Sequence, residues 1–278
     1  MAQIVVLGSD GWLGSNIHQF YGHDSVGFSG AEVRKLLLMN NLRNTFLDIH
    51  KMTNKITIIN AIGSRYGDKS QMLDANTEAP HKLSEIASSL DLHFVHFGSA
   101  AEYQINSEKL RINESMSTLP SSDYGKSKLA GSMKVLEHPK SLVLRIFNVV
   151  GLNLPSQNPL IDIRLKVEAA KMNSEALQLR NSSTVRDFIS IDLFLRTLKF
   201  SIENKLNGVF NVCSGEPISF GEIAQEIATR TDCTKPIESK MTDPADFIVG
   251  DPSKLRSISG INEHVDAKTV VDWLSLRC

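Results

Sequence analysis

The chain has 278 residues, 41% of them hydrophobic and 22% charged, as in a globular protein that can bury a large core. Its 30 Lys and Arg balance 31 Asp and Glu, which leaves no bulk field for nucleic acid or an anionic membrane. Cys213, Cys233 and Cys278 are too scattered for a disulfide framework or a metal site, and no apolar run reaches signal or membrane length, so a cytoplasmic setting is expected.

In chain order, strands are expected at Ile4–Leu7, Ser25–Phe28, Thr45–Leu47, Ile56–Asn60, His93–Phe97 and Leu142–Phe147. Helical patterns lie between most of them, at Trp12–Phe20, Leu73–Leu90 and Ser122–Glu137. Continuous apolar strands alternating with helices predict an α/β fold, a Rossmann-type doubly wound parallel sheet covered on both faces. After Gly151 the rhythm loosens, with prolines at 155, 159, 217, 236, 244 and 252. Residues 1–150 are therefore expected to form one domain, with returning elements near 187–213, and residues 151–278 mainly a smaller lobe.

The stretch VVLGSDGWLGSNIHQF sets Gly8, Gly11 and Gly14 between the first strand and the first helix. A dinucleotide needs a tight turn, close backbone approach and free N–H groups at a helix start. The spacing is GxxGxxG, and a plain structural turn is the competing reading. The second strand ends at Ser29, followed by Glu32 and Arg34. A small Ser29 with Arg34 nearby slightly favours NADP(H). Glu32 keeps NAD(H) possible, and Arg34 is equally readable as a solvated helix charge.

In SSDYGKSKLAG, Tyr124 precedes Lys128 by four residues, so both face one side of a helix. An ammonium there can lower the pKa of a phenol, which is otherwise a poor acid–base group near neutrality. Ser99, in FGSAAEYQ, follows the strand at 93–97, on the side of a parallel sheet where ligands bind. It could hold a substrate oxygen while Tyr124 exchanges a proton. His93 and His96 read as packing or edge residues, and Cys213 as a buried strand residue.

Gly8, Gly11, Gly14, Ser99, Tyr124 and Lys128, in this order, resemble the extended short-chain dehydrogenase/reductases of the NAD-dependent epimerase/dehydratase family. The segments INAIG (59–63), LVLRIFNVVG (142–151), VRDFISIDL (185–193) and GVFNVCSGEPISFGEIA (208–224) extend the likeness over nearly the whole chain. Within the family the chain is most similar to nucleotide-sugar 4-ketoreductases acting on 4-keto-6-deoxyhexoses. Trp12 replaces a usual Phe, and Gln104 replaces a usual glycine.

The resemblance implies that the first domain binds the nucleotide and the smaller lobe the substrate, with catalysis by Ser99, Tyr124 and Lys128 without a metal. It implies cofactor contacts from Gly8, Asp10, Gly11, Trp12, Leu13, Gly14, Ser29, Arg34, Asp48, Ile49, Ala61, Gly63, Tyr124, Lys128, Asn148 and Val149. Ser64, Ser99, Ala100, Tyr124, Asn148 and Arg186 would contact a nucleotide sugar. Arg186 could instead pair with Asp187 or another acid, and Asn148 could cap a strand end. The helical stretches at 73–90 and 122–137 resemble those that pair in the family's homodimers.

In the related 4,6-dehydratases, an Asp and a Glu follow the catalytic hydroxyl. Here those positions are Ala100 and Ala101, and Glu102 comes one place later, which implies reduction rather than dehydration. A 4-epimerase with retained NAD and a non-catalytic dinucleotide sensor are the rival readings.

Overall fold

A computed structural model describes residues 3–53, 56–104, 109–173, 176–240 and 246–274. Its central sheet contains β1 (Gln3–Leu7), β2 (Ser25–Phe28), β3 (Ile56–Asn60), β4 (His93–Ser99), β5 (Ser141–Ile146) and β6 (Gly208–Val212). Their spatial order is β6-β5-β4-β3-β1-β2, and β1 to β5 pair in parallel. Strand order reverses between β1 and β3, so the carboxyl ends of these two strands open the ligand crevice of a doubly wound sheet. The expected Rossmann-type sheet is present.

The helices of this region are α1 (Trp12–Tyr21), α2 (Gly30–Leu38), α3 (Leu42–Thr53), α4 (Lys69–Leu73), α5 (Ala79–Ser89) and α6 (Asp123–Leu136). The strand expected at Thr45–Leu47 is absent, because these residues lie inside α3. Leu42 and Phe46 are four apart, and both are buried with Ile49 packed beside them. That spacing is helical, and a three-residue window could not reveal it. Each such buried side chain stabilises the fold by about 1.5–3 kcal/mol.

The single helix expected at Leu73–Leu90 is instead α4, a wide π turn at Asp74–Glu78, and α5. Pro80 falls in the first turn of α5, where a missing N–H breaks no helical bond. The π turn directs Asn76 inward, where it is fully buried. π turns of this kind often mark functional sites.

Contacts group the chain into two units, Met1–Gln104, Glu114–Ile146 and Leu195–Asn211 in one, Ile105–Asn113, Phe147–Phe194 and Val212–Cys278 in the other. The core of the first unit includes Val5, Phe46, Ile58, Phe94 and Val143. The second has its own core around Val167, Phe188, Ile223, Ile227 and Val270. Helices Pro159–Asn173, Phe220–Arg230 and Ala267–Trp273 contribute to it. Cys213 is buried, one residue past β6. Among the described residues, no helix is long and apolar enough to cross a membrane.

Candidate active site

Gly8 turns the chain out of β1 with φ +85°, and a Cβ there would meet the Ile62 amide nitrogen at 3.0 Å. A Cβ on Gly14 would lie 2.0 Å from the Gly8 carbonyl oxygen. Only hydrogen fits at these two positions, so α1 closes tightly on the loop. The segment after β3 joins it, as Ala61 N–H donates to the Leu7 carbonyl at 2.8 Å. The loop thus lies at the reversal point of the sheet.

Helix α1 starts after Gly11 with no side-chain cap and no acid in its first turn. Such a helix start accommodates an anionic group through its N–H donors and dipole. Trp12 and Leu13 open α1. The cradle suits the pyrophosphate of a dinucleotide.

The start of α2 differs. Ser29 forms a capping box with Glu32, whose carboxylate accepts from Ser29 N–H at 2.7 Å and Ser29 O–H at 2.8 Å. Asp10 reaches across to accept from Gly30 N–H at 2.8 Å. Two carboxylates therefore sit at the end of β2, and Ser29 holds Glu32 below the usual carboxylate range. Arg34 is exposed further along α2. Asp48 and Ile49, which the resemblance implies beside the cofactor, fall in α3. Asp48 is exposed and pairs with Lys51, while Ile49 packs on the core.

Ser99, Tyr124 and Lys128 come together in the first unit. Ser99 ends β4, and its hydroxyl is hydrogen-bonded to the Tyr124 phenol. Ser122 caps α6 by accepting from Gly125 N–H at 3.0 Å, which starts the helix directly before Tyr124. One turn later Lys128 is buried and donates to the Phe97 carbonyl at 2.5 Å. Burial pushes the Lys128 ammonium down to about 8, against the opposing pull of Glu102.

Burial raises the Tyr124 phenol, while Ser99 and the nearby Arg65 pull it back. The lowering by Lys128 that the spacing suggests is not the governing effect. An amine that titrates near 8 is neutral before a phenol above 10 ionises. Tyr124 is therefore a protonated donor at neutral pH, the state a general acid requires.

Three neighbours escape a reading by motif. Asn76 accepts from Ser64 N–H at 2.9 Å and donates to the Ser64 carbonyl at 2.7 Å and Ser127 Oγ at 3.0 Å. It ties the strand-end segment containing Gly63 and Ser64 to α6. The Arg65 guanidinium lies 6.0 Å from the centre of the Tyr124 ring. Glu102 is fully buried within the turn that follows Ser99. Its S-x-x-E spacing from Ser99 is the one readable signal, that of a capping box. Ala100 is buried on the same turn.

Asn148, Val149 and Arg186 belong to the second unit. Asn148 donates its side-chain N–H to the Asp187 carbonyl at 2.8 Å, the backbone-capping alternative. Val149 pairs with Ile189. Arg186 pairs with Asp246 at 3.2 Å rather than with Asp187. Asp187 is fully buried and accepts from Ser214 N–H and O–H, Gly215 N–H and Gly250 N–H. Of His93 and His96, His96 is buried with Nδ1 facing Asn60 at 3.1 Å, and His93 Nε2 donates to the Leu206 carbonyl at 2.9 Å.

The parallel sheet and the glycine cradle at its reversal point define a Rossmann-type nucleotide-binding protein. More narrowly, the chain belongs to the NAD dependent epimerase/dehydratase family, whose model matches residues 4–213. It is 29% identical over 170 residues to a dTDP-6-deoxy-L-talose 4-dehydrogenase (NAD(P)(+)) of Kitasatospora kifunensis, over 57% of this chain and 54% of that protein. It is 31% identical over 180 residues to a GDP-6-deoxy-D-talose 4-dehydrogenase of Aggregatibacter actinomycetemcomitans, over 59% and 57%. The match thus spans little more than half the length of these relatives.

A UDP-glucose 4-epimerase of Corynebacterium glutamicum is 25% identical over 198 residues, covering 63% of this chain and 60% of the epimerase. Among solved structures, Bordetella bronchiseptica WbmG with NAD and UDP superposes with a TM-score of 0.81 at 22% identity, covering 98% of this chain and 94% of its own. RMD of Pseudomonas aeruginosa, complexed with NADPH, gives 0.78 at 17% identity, with 98% and 97% covered.

Proposed function

We propose that this chain reduces the 4-keto group of a nucleotide-linked 4-keto-6-deoxyhexose. The observation that carries this reading is the meeting of Ser99, at the end of β4, with Tyr124, hydrogen-bonded to it and one turn before the buried Lys128 on α6. A bound nicotinamide dinucleotide, seated on the glycine cradle, would supply the hydride. Ser99 orients the carbonyl oxygen with its hydroxyl, and Tyr124 gives that oxygen its proton as the C–O double bond becomes a single bond. Lys128 steadies the nicotinamide ribose and the Tyr124 side chain. The likeness to two 4-dehydrogenases of 6-deoxytalose nucleotides supports the same chemistry, since each such oxidation reversed is a 4-keto reduction.

The sequence leans to NADP(H) through Ser29 and Arg34, but the geometry at α2 weighs the other way. Asp10 and Glu32 occupy the end of β2, and both oppose a 2′-phosphate. We place NAD(H) first. Arg186 remains our candidate for the nucleotide diphosphate, reached by exchanging Asp246 for phosphate. Asn148, Val149, Ser64 and Ala100 remain assigned as the resemblance implies. We also expect a homodimer in the cytoplasm, which light scattering and fractionation test.

The experiment is a screen of nucleotide-linked 4-keto-6-deoxyhexoses with NADH and NADPH, following absorbance at 340 nm and product stereochemistry by NMR. Stoichiometric loss of reduced cofactor with a new C4 alcohol is the expected result. The second reading, a 4-epimerase, is favoured by the C. glutamicum relative. It predicts C4 inversion of an ordinary nucleotide sugar without net cofactor use.

A further inference from the structure

Glu102 has no place in the mechanism above, yet both of its carboxylate oxygens are engaged beside Ser99. It is fully buried. Oε1 accepts from Ser99 N–H and from Ser132 O–H, each at 2.8 Å, and Oε2 accepts from Arg145 Nε at 2.8 Å. Gly98 makes room for this, since a Cβ there would lie 2.6 Å from Oε1 and 3.0 Å from Arg145 Cγ.

Reciprocally, Ser99 Oγ accepts from Ala101 N–H at 3.1 Å. Both ends of the turn are thereby fixed, and the serine hydroxyl keeps one orientation, with its remaining bonding capacity directed to Tyr124. The far side is equally braced. The Arg145 guanidinium lies 4.6 Å from the Tyr103 ring centre, and the Tyr103 hydroxyl donates to Asn211 at 2.7 Å.

A buried ion pair is weak evidence for stability, because desolvating two charges offsets most of their attraction. Its geometric effect is better defined. We propose that Glu102, neutralised by Arg145, is a positioning residue that sets the Ser99 hydroxyl for the substrate carbonyl and Tyr124. This rests on the reading that Ser99 holds the reacting oxygen. A displacement of about 1 Å at such a group lowers turnover by up to about a hundredfold.

The test is a double-mutant cycle with Glu102→Ala, Ser99→Ala and the pair. Glu102→Ala is expected to lower kcat at least tenfold in the wild-type chain and less than twofold once Ser99 is already alanine. Cofactor Kd should stay within about threefold throughout. Glu102→Gln, which keeps an acceptor for Ser99 N–H, should recover part of the lost kcat and serves if the alanine variant does not fold. Equal kcat losses from Glu102→Ala with and without Ser99 overturn the proposal, as does an unchanged kcat.

A second readout does not need turnover. The carbon-13 signal of the Tyr124 phenol, assigned by loss in Tyr124→Phe, should move in Ser99→Ala and in Glu102→Ala. It should move no further when the two are combined. If the wild type reduces no keto sugar, the functional reading fails, while this second cycle still decides the role of Glu102.

Discussion

Lys128 donates to the main-chain carbonyl of Phe97 at 2.5 Å, two residues before Ser99. The helix that carries Tyr124 is thus pinned to the strand that carries the serine. Substituting Tyr124→Phe removes only the hydroxyl and leaves that anchor in place. We expect kcat to fall about a hundredfold or more, as for loss of a general acid, with cofactor affinity nearly unchanged. Near-normal turnover of the variant in the 340 nm assay would remove Tyr124 from the mechanism.

The Lys128 anchor has a pH signature. Burial lowers its ammonium from 10.5 to about 8, so the unfolded chain binds the extra proton more readily than the folded one between these values. Folding is penalised by the buried charge below about 8, and the penalty is relieved as pH rises toward 10.5. The stability of the wild type relative to Lys128→Met should therefore rise across this window, by at most about 1.4 kcal/mol per pH unit. Urea denaturation of both proteins from pH 7 to 10.5 measures it. A difference that stays flat would mean that Lys128 titrates normally.

The glycine loop, the helix with Tyr124 and Lys128, and the placing of Ser99 were legible because each depends on neighbours close in sequence. Glu102, Asn76 and Arg65 were not, because their roles arise from contacts across the fold. Glu102 meets Ser132 and Arg145 from 30 and 43 positions away, and Asn76 meets Ser127 from 51. The α3 helix was misread because Thr45–Leu47 contains one β-branched and two apolar side chains, while its helical repeat shows only when Leu42 and Ile49 are included. The cofactor lean rested on Ser29 with Arg34; that the Ser29 hydroxyl donates to Glu32, and that Asp10 accepts from Gly30 N–H 20 positions away, shows only in the fold.

That arrangement gives the next prediction. With Asp10 and Glu32 both at the start of α2, NADH should bind more tightly than NADPH, measured by calorimetry on the purified chain. Paired substitution Asp10→Asn and Glu32→Gln should narrow or reverse the ratio by raising affinity for NADPH. Arg34→Ala should leave NADH unaffected and weaken NADPH alone. Tighter NADPH binding to the wild type would restore the preference read from Ser29 and Arg34.

Asp187 has a structural part distinct from the adjacent Arg186. Its carboxylate accepts three backbone N–H groups and one hydroxyl from Ser214, Gly215 and Gly250, even though burial raises its pKa to about 6. In Asp187→Asn one oxygen becomes an NH₂ that faces donors. At least one buried N–H then loses its partner, which costs about 1–3 kcal/mol. Chemical denaturation should show the loss, and an unchanged midpoint would mean that the loop at 212–215 is held by other contacts.

The last prediction concerns a reaction that we expect this site not to perform. Eliminating water across C5–C6 of a 4-ketosugar requires a base for the C5 proton and an acid for the departing hydroxyl. Tyr124 is assigned to the C4 oxygen, and the methyl groups of Ala100 and Ala101 transfer no protons. Glu102 is the remaining carboxylate on this turn, and it is fully buried with both oxygens engaged by Ser99, Ser132 and Arg145. Freeing it would strand a buried guanidinium and the Ser99 amide, so it cannot substitute for the missing pair. Incubating the protein and NAD with nucleotide-linked 6-hydroxyhexoses should yield no 4-keto-6-deoxy sugar by NMR, while the matching 4-keto-6-deoxy substrate consumes NADH. Appearance of the dehydrated product would require a second acid–base pair that this turn does not provide, and would overturn the assignment of the site to reduction.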